Sequence, residues 1–167
     1  MAMKQMTKRD RRGFTLTELM ITVAIIAVLA AIAVVGYTKY VQDARLSEGK
    51  SMMASILLAQ TQYKDVNGGE YASCGKNPVD PEPGPSQKKP WVTDLCWQTL
   101  GAAPSGKSVS FQYETRSGVG SCAPPGYAPN ACSGITGSGA WWWSMARNGK
   151  WIIYINSENT EPWEVAR

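Results

Sequence analysis

The sequence predicts an α+β chain: a long amino-terminal helix, its first half transmembrane, packed through its second half on an antiparallel β-sheet. Three patterns carry this. Residues 14–35 form a 22-residue stretch that is almost wholly apolar. Apolar side chains then recur with a period near 3.6 as far as Val66, the mark of an amphipathic helix. Beyond residue 108 the pattern changes to alternation and aromatic runs with an Asn-Gly turn between two of them, as in antiparallel strands joined by a hairpin.

Composition narrows the function before any motif is considered. The 167 residues are 44% hydrophobic and 18% charged, too apolar for wholesale disorder. Histidine is absent, which excludes Ser-His and Cys-His nucleophilic sites and imidazole metal sites. The net charge of +4 is concentrated at Lys4, Lys8, Arg9, Arg11 and Arg12, and without residues 1–13 the chain has 12 basic and 12 acidic side chains. Nucleic-acid binding calls for a basic surface on the folded body, so a nucleic-acid partner is not expected. No catalytic constellation stands out. Neither an enzyme nor a cofactor is expected, and Glu158 and Glu161 read as acids on a solvated polar tail.

As a helix the 22 residues rise about 33 Å, enough for a bilayer core about 30 Å thick. Arg9, Arg11 and Arg12 directly before them place the amino end in the cytoplasm and the rest outside. A signal peptide shares the basic start, but the apolar run here is longer than a signal core and lacks a clear small-x-small cleavage site before a loop. A plain anchor leaves Glu18 unexplained. A carboxylate there costs about 2–3 kcal/mol on lenient insertion scales. The helix dipole returns at most about 1 kcal/mol, so Glu18 calls for a partner.

The second half of the helix, residues 36–67, shows a stripe of Tyr37, Val41, Ala44, Met52, Ile56, Ala59, Tyr63 and Val66, interrupted by Glu48. Asn67-Gly68-Gly69 is a glycine stop. Phe14 to Val66 would give a helix about 80 Å long. Residues 68–167 form the globular body. Asn77 to Pro90 is rich in proline and charge and reads as a surface loop with Cys74 and Cys96 at its ends, followed by a short strand starting at Trp91-Val92-Thr93. Val109 to Glu114 alternates like a half-buried strand, and Trp141–Ala146 and Trp151–Ile155 flank the Asn148-Gly149 turn.

The four cysteines lie on the non-cytoplasmic side, where disulfides are favoured. No two are spaced like zinc ligands. Three pairings are open; the favoured one joins Cys122 to Cys132 around a turn-rich loop, and Cys74 to Cys96. In Trp141-Trp142-Trp143 the strand alternation puts Trp141 and Trp143 on one face and Trp142 on the other. Core packing is the simpler reading, and a ligand platform the alternative.

Gly13-Phe14-Thr15-Leu16-Thr17-Glu18-Leu19-Met20, behind a basic leader and before an unbroken apolar helix, resembles the prepilin processing motif of type IV pilins and of the pseudopilins of type II secretion. The resemblance covers residues 8–40 or so and implies a pilin-like fold. It implies that residues 1–13 are a leader removed by a prepilin peptidase between Gly13 and Phe14, and that the Phe14 amine is then N-methylated. It gives Glu18 its partner in the Phe14 amine of a neighbouring subunit. The chain would then be stored as a single-pass protein of the bacterial inner membrane and assembled by pilus machinery into an extracellular filament of identical subunits. Motility, adhesion or DNA uptake are the implied uses. A minor pilin or pseudopilin, or a membrane-anchored exported module whose tryptophans bind a ligand, are the alternatives. Many pilins carry a proline where this chain has Val34-Val35-Gly36, so Gly36 is the expected soft point of the helix.

Overall fold

A computed structural model describes residues 13–136 and 138–166; the basic residues of the expected leader lie outside the described residues. The architecture is α+β, with a long amino-terminal helix and a five-stranded antiparallel sheet. By compactness the chain divides into two units, residues 1–41 and residues 42–167. Helix α1 (Leu16–Val66) begins in the first and ends in the second.

In the first unit every described side chain from residue 13 to residue 40 is exposed. Leu19, Ile26, Leu29, Ile32 and Val35 are each about 60% exposed or more. Thr22 bonds its hydroxyl to the Leu19 carbonyl at 2.8 Å, so the one polar side chain between Leu19 and Val35 is satisfied within its own helix. Gly36 lies within α1 with no helical break.

In the second unit α1 buries Gly49, Met52, Met53, Ile56, Ala59 and Gln60. This corrects the expected stripe. Met52, Ile56 and Ala59 are in the core and Tyr63 packs against it, whereas Tyr37, Ala44 and Val66 are exposed. Two residues turn the buried face. Gly49 lets Ile153 and Phe111 close on the helix: a Cβ there would lie 2.6 Å from Ile153 Cδ1 and 3.0 Å from Phe111 Cε2. Gln60 is fully buried, donates to the Ala72 carbonyl and Thr115 Oγ1, and accepts from the Ala72 N–H, all within 2.9 Å. A buried amide so satisfied costs little. Gly68 and Gly69 have φ of 68° and 94°, and the Gly69 N–H caps the Lys64 carbonyl, a stop that a residue with a β-carbon would strain.

Residues 70–109 are more regular than the proline content suggests. They hold strand β1 (Cys74–Asn77), strand β2 (Lys89–Pro90), helix α2 (Leu95–Leu100) and strand β3 (Ser108–Val109), with β2 and β3 paired antiparallel. The strand expected at Trp91-Val92-Thr93 is absent; those residues lead into α2 instead. Asp94 caps that helix by accepting the Cys96 N–H at 2.8 Å, and Gly101 at φ 77° ends it. The loop between β1 and β2 is pinned by side chains at its edge and on α1. Asn77 exchanges two bonds with the Val92 backbone, and Arg45 donates to the carbonyls of Pro85 and Ser86.

The main sheet adds β4 (Gln112–Val119), β5 (Ala140–Arg147), β6 (Trp151–Asn156) and β7 (Trp163–Ala166) in the order β1-β4-β5-β6-β7, all antiparallel. The single half-buried strand expected from Val109 to Glu114 is therefore two pieces. Between them Ser110 turns aside to donate its N–H and hydroxyl to Glu48, both at 3.0 Å. Its polar positions are also buried, because loops cover the far side of the sheet. The segment expected to be a polar tail instead supplies β7, where Trp163 stacks on Tyr154 at 5.6 Å and Glu164 pairs with Lys50 at 3.0 Å.

Each face of the sheet has a core. Trp142, Ala146, Ile153 and Ile155 face α1 and α2 with Tyr113 and Phe111. Trp143, Met145, Ile152 and Tyr154 face outward and are covered by the 122–132 loop through Ala128 and Ala131. At the β5–β6 turn the Asn148 carboxamide oxygen accepts the N–H groups of Lys150 and Trp151. Gly149 serves close approach there: a Cβ would meet Pro85 Cδ at 2.7 Å, and its N–H bonds to the Pro83 carbonyl.

Candidate functional site

The residues expected to undergo processing lie together at the start of α1. Gly13 and Phe14 precede the helix; nothing approaches the position of a Gly13 β-carbon, and Phe14 is 80% exposed. Thr15 occupies the position before the first helical residue. Its hydroxyl accepts the Glu18 N–H at 3.2 Å, while Glu18 Oε2 accepts the Thr15 N–H at 3.0 Å and the Thr15 hydroxyl at 2.8 Å. This reciprocal arrangement is a capping box, and it satisfies two helix-end donors at once. The Thr-x-x-Glu spacing was present in the sequence as a cap signal, but the cost of a carboxylate in an apolar helix drew attention to Glu18 alone. Glu18 thus has a partner within its own chain before any neighbour is present.

All four cysteines are paired, as Cys74–Cys96 and Cys122–Cys132. The first ties β1 to α2 across the proline-rich loop. The second closes the loop over the outer core, and Asn156 clamps that loop by donating to the Ala131 and Ser133 carbonyls. No group of three or more metal-ligating side chains occurs among the described residues.

The tryptophan run divides as alternation requires. Trp142 is 2% exposed in the inner core and Trp143 is 1% exposed in the outer one, so neither is an open platform. Only Trp141 is part-exposed. Around these rings lies a polar network that the sequence did not reveal, because its members are distant along the chain. Glu114 is buried and accepts from Arg116 at 2.7 Å and from the Tyr127 hydroxyl at 3.0 Å. The Glu114 contact raises the Arg116 pKa, while burial, followed by the Glu114 charge, raises that of Tyr127. Arg147 bonds to Gln112, Asp80 and Glu82, and the Tyr127 ring lies 5.4 Å from its guanidinium.

Glu48 joins α1 to the β3–β4 junction. Burial pushes its carboxyl pKa up, but bonds from Lys88 and from the Ser110 N–H and hydroxyl outweigh burial and hold it below the usual range. The folded chain therefore binds this proton more weakly than the unfolded chain, whose glutamate titrates near about 4.3. The resulting stability is present above that value and is lost as pH falls through the lower folded value. Glu48→Gln is expected to cost about 1 kcal/mol at pH 7, since the Lys88 pair is half-exposed. In thermal melts the gap between the two proteins should narrow as pH falls below the unfolded value and close once the folded carboxyl is also protonated. A gap independent of pH would remove the charged role.

An exposed apolar helix, capped by Thr15 and Glu18, thus follows directly on a Gly-Phe pair. Residues 8–34 match the family model described as the prokaryotic N-terminal methylation motif. The chain is 41% identical over 75 residues to the fimbrial protein EcpC of Eikenella corrodens, covering 45% of this chain and 44% of that protein. It is 46% identical over 52 residues to the type IV major pilin protein PilA of Myxococcus xanthus, covering 31% and 24%. Over 45 residues it is 52% identical to the type IV major fimbrial protein FimA of Dichelobacter nodosus, covering 27% and 28%. The alignments thus span less than half the length of these curated relatives. No solved structure matches. These relatives are named as type IV pilins and fimbrial proteins, and it is to such proteins that the chain is similar over the matched stretches. Helix α1 is long and apolar enough to cross a membrane.

Proposed function

We propose that the chain is a structural subunit of a type IV pilus, cut by a prepilin peptidase after Gly13, N-methylated on Phe14 and polymerised through its amino-terminal helix. In this reading residues 1–13 are the leader, 14–35 the membrane half of the helix, 36–67 the amphipathic half and 68–167 the disulfide-stapled body. The observation that carries it is the exposure of every described side chain from residue 13 to 40, while the second unit fills both its cores without them. At roughly 25 cal/mol per Å² of apolar surface, so long an apolar stretch is not left in water. It calls first for a bilayer, where the helix satisfies its own backbone, and then for other copies of itself.

Assembly replaces lipid by neighbouring helices around the apolar stretch. Glu18 is the one acid in that stretch. On transfer its carboxylate exchanges the Thr15 cap for the freed Phe14 amine of the next subunit. A buried pair of this kind fixes register more than it adds net stability. The subunit waits in the bacterial inner membrane, with the pilus assembly machinery and other copies as its partners, and the filament serves motility, adhesion or DNA uptake.

Intact mass of the protein from its host tests the processing steps together. The mature chain should begin at Phe14, carry one added methyl, and lack the four hydrogens removed by two disulfides. A purified chain that still begins at Met1 would overturn the reading.

A further inference from the structure

The chain contains two Asn-Gly pairs, Asn67-Gly68 where α1 stops and Asn148-Gly149 in the β5–β6 turn. We infer that Asn67-Gly68 is a site of spontaneous deamidation, and that the fold shields Asn148-Gly149 from the same reaction. The chemistry is intramolecular. The glycine backbone nitrogen gives up its proton and attacks the asparagine Cγ. A new C–N bond closes a succinimide ring as the Cγ–Nδ2 bond breaks, and the side-chain nitrogen leaves with that proton as ammonia. Water then opens the ring at either carbonyl, giving aspartate or isoaspartate. One ammonia is lost, one water is gained and nothing is oxidised or reduced. Glycine in the second place favours the attack because no β-carbon stands in its way.

At the first pair both residues are exposed. Nothing lies within 4 Å of the β-carbon position of Gly68 or of Gly69, so the peptide plane between Asn67 and Gly68 has room to turn onto the side chain. The backbone bonds that close the helix run from the Asn67 N–H to the Tyr63 carbonyl and from the Gly69 N–H to the Lys64 carbonyl, both at 3.0 Å. They pass over the Gly68 nitrogen, the nucleophile. The Asn67 carboxamide donates from Nδ2 to the Tyr63 carbonyl at 2.8 Å. At an exposed position water can replace that bond at little net cost.

The second pair is locked. Asn148 is 2% exposed, and its Oδ1 accepts the N–H groups of Lys150 at 2.9 Å and Trp151 at 2.8 Å. The Gly149 nitrogen already donates its proton to the Pro83 carbonyl at 3.2 Å. A β-carbon at Gly149 would meet Pro85 Cδ at 2.7 Å, so the peptide plane cannot turn without moving the loop. Ring closure here would break three hydrogen bonds in a buried turn, where each lost partner is costly. The products at Asn67 bear on the end of α1. Aspartate puts a negative charge beside the Tyr63 carbonyl, at the negative end of the helix dipole, and isoaspartate lengthens the backbone of the glycine stop by one carbon. The change accumulates with the age of each molecule at the joint between α1 and the rest of the body.

The test holds the full chain in warm, mildly alkaline buffer, folded in a mild detergent or reduced and unfolded in urea, and samples it over days. Mass spectrometry of digests reads the gain of one mass unit at each pair, and isoaspartyl methyltransferase labelling counts isoaspartate. In urea the two pairs should react at similar rates. In the folded chain Asn67 should continue to react while Asn148 falls behind by at least about tenfold, equivalent to about 1.4 kcal/mol of added barrier. Asn67→Gln should remove the labelling from the folded chain with its circular dichroism unchanged, because the longer side chain must close a larger and slower-forming ring. An Asn67 that reacts in urea but not in the folded chain overturns the inference. So does an Asn148 that keeps pace when folded, or labelling that persists in Asn67→Gln. None of these results bears on leader cleavage or filament assembly.

Discussion

Glu18→Ala should leave the leader cut and the surface bare of filaments. The substitution removes about 2–3 kcal/mol of insertion cost, so the precursor should reach the membrane at least as well as the parent. Gly13 and Phe14, the residues expected at the cut, are unchanged. What is lost is the charge proposed to meet the Phe14 amine of the next subunit. The same change also breaks the capping box with Thr15, and loss of a cap costs about 1 kcal/mol. Thr15→Ala separates the two effects, because it removes the cap and keeps the carboxylate. It should assemble, whereas Glu18→Ala should not. The ratio of precursor to mature chain on gels, together with electron microscopy of sheared filaments, reads both steps. Normal filaments from Glu18→Ala would strip Glu18 of its role.

Trp142→Ala should destabilise the body by about 3–5 kcal/mol, the range for removing a buried aromatic from a packed core. Trp142 packs in the inner core with Tyr71 at 6.1 Å, and the helix face carrying Met53 and Ile56 closes over the same core. For a body of this size the thermal midpoint should drop by more than about 10 °C. Trp141→Ala, at a part-exposed ring, should cost much less. Equal losses from the two variants would contradict the division of the run between buried and part-exposed rings.

The parts of this fold that the sequence made legible are those where one pattern repeats long enough to average out exceptions. The apolar run, the helix continuing past it and the β5–β6 hairpin are of that kind. The short elements were missed for separate reasons. Strand β1 is Cys-Gly-Lys-Asn, with no branched or aromatic residue, and is held by pairing with β4 and by a disulfide. Helix α2 has only six residues, too few to show a period, although Asp94 and Gly101 marked both its ends. Strand β7 alternates over four residues beyond a run of polar ones, and only its register against β6 makes it a strand. On α1 the buried face was misplaced because Gly49 and Gln60 look like solvent residues. One is buried because bulk elsewhere fills its space, the other because distant backbone satisfies its amide. At the candidate site the Gly-Phe-x-x-x-Glu spacing was visible, being local. The Glu114–Arg116–Tyr127 cluster was not, since it depends on how a loop lies across the sheet.

The two borders of the sheet are unlike the strands between them. β1 carries a register irregularity and a covalent tie to α2, and β7 is four residues long with an acid facing a lysine. Interrupted, short and charged margins of this kind discourage strand-by-strand fusion. In a proposed fibre that crowds many such bodies side by side, this would confine stickiness to the oily stem and keep a growing polymer from collapsing into amyloid-like bundles.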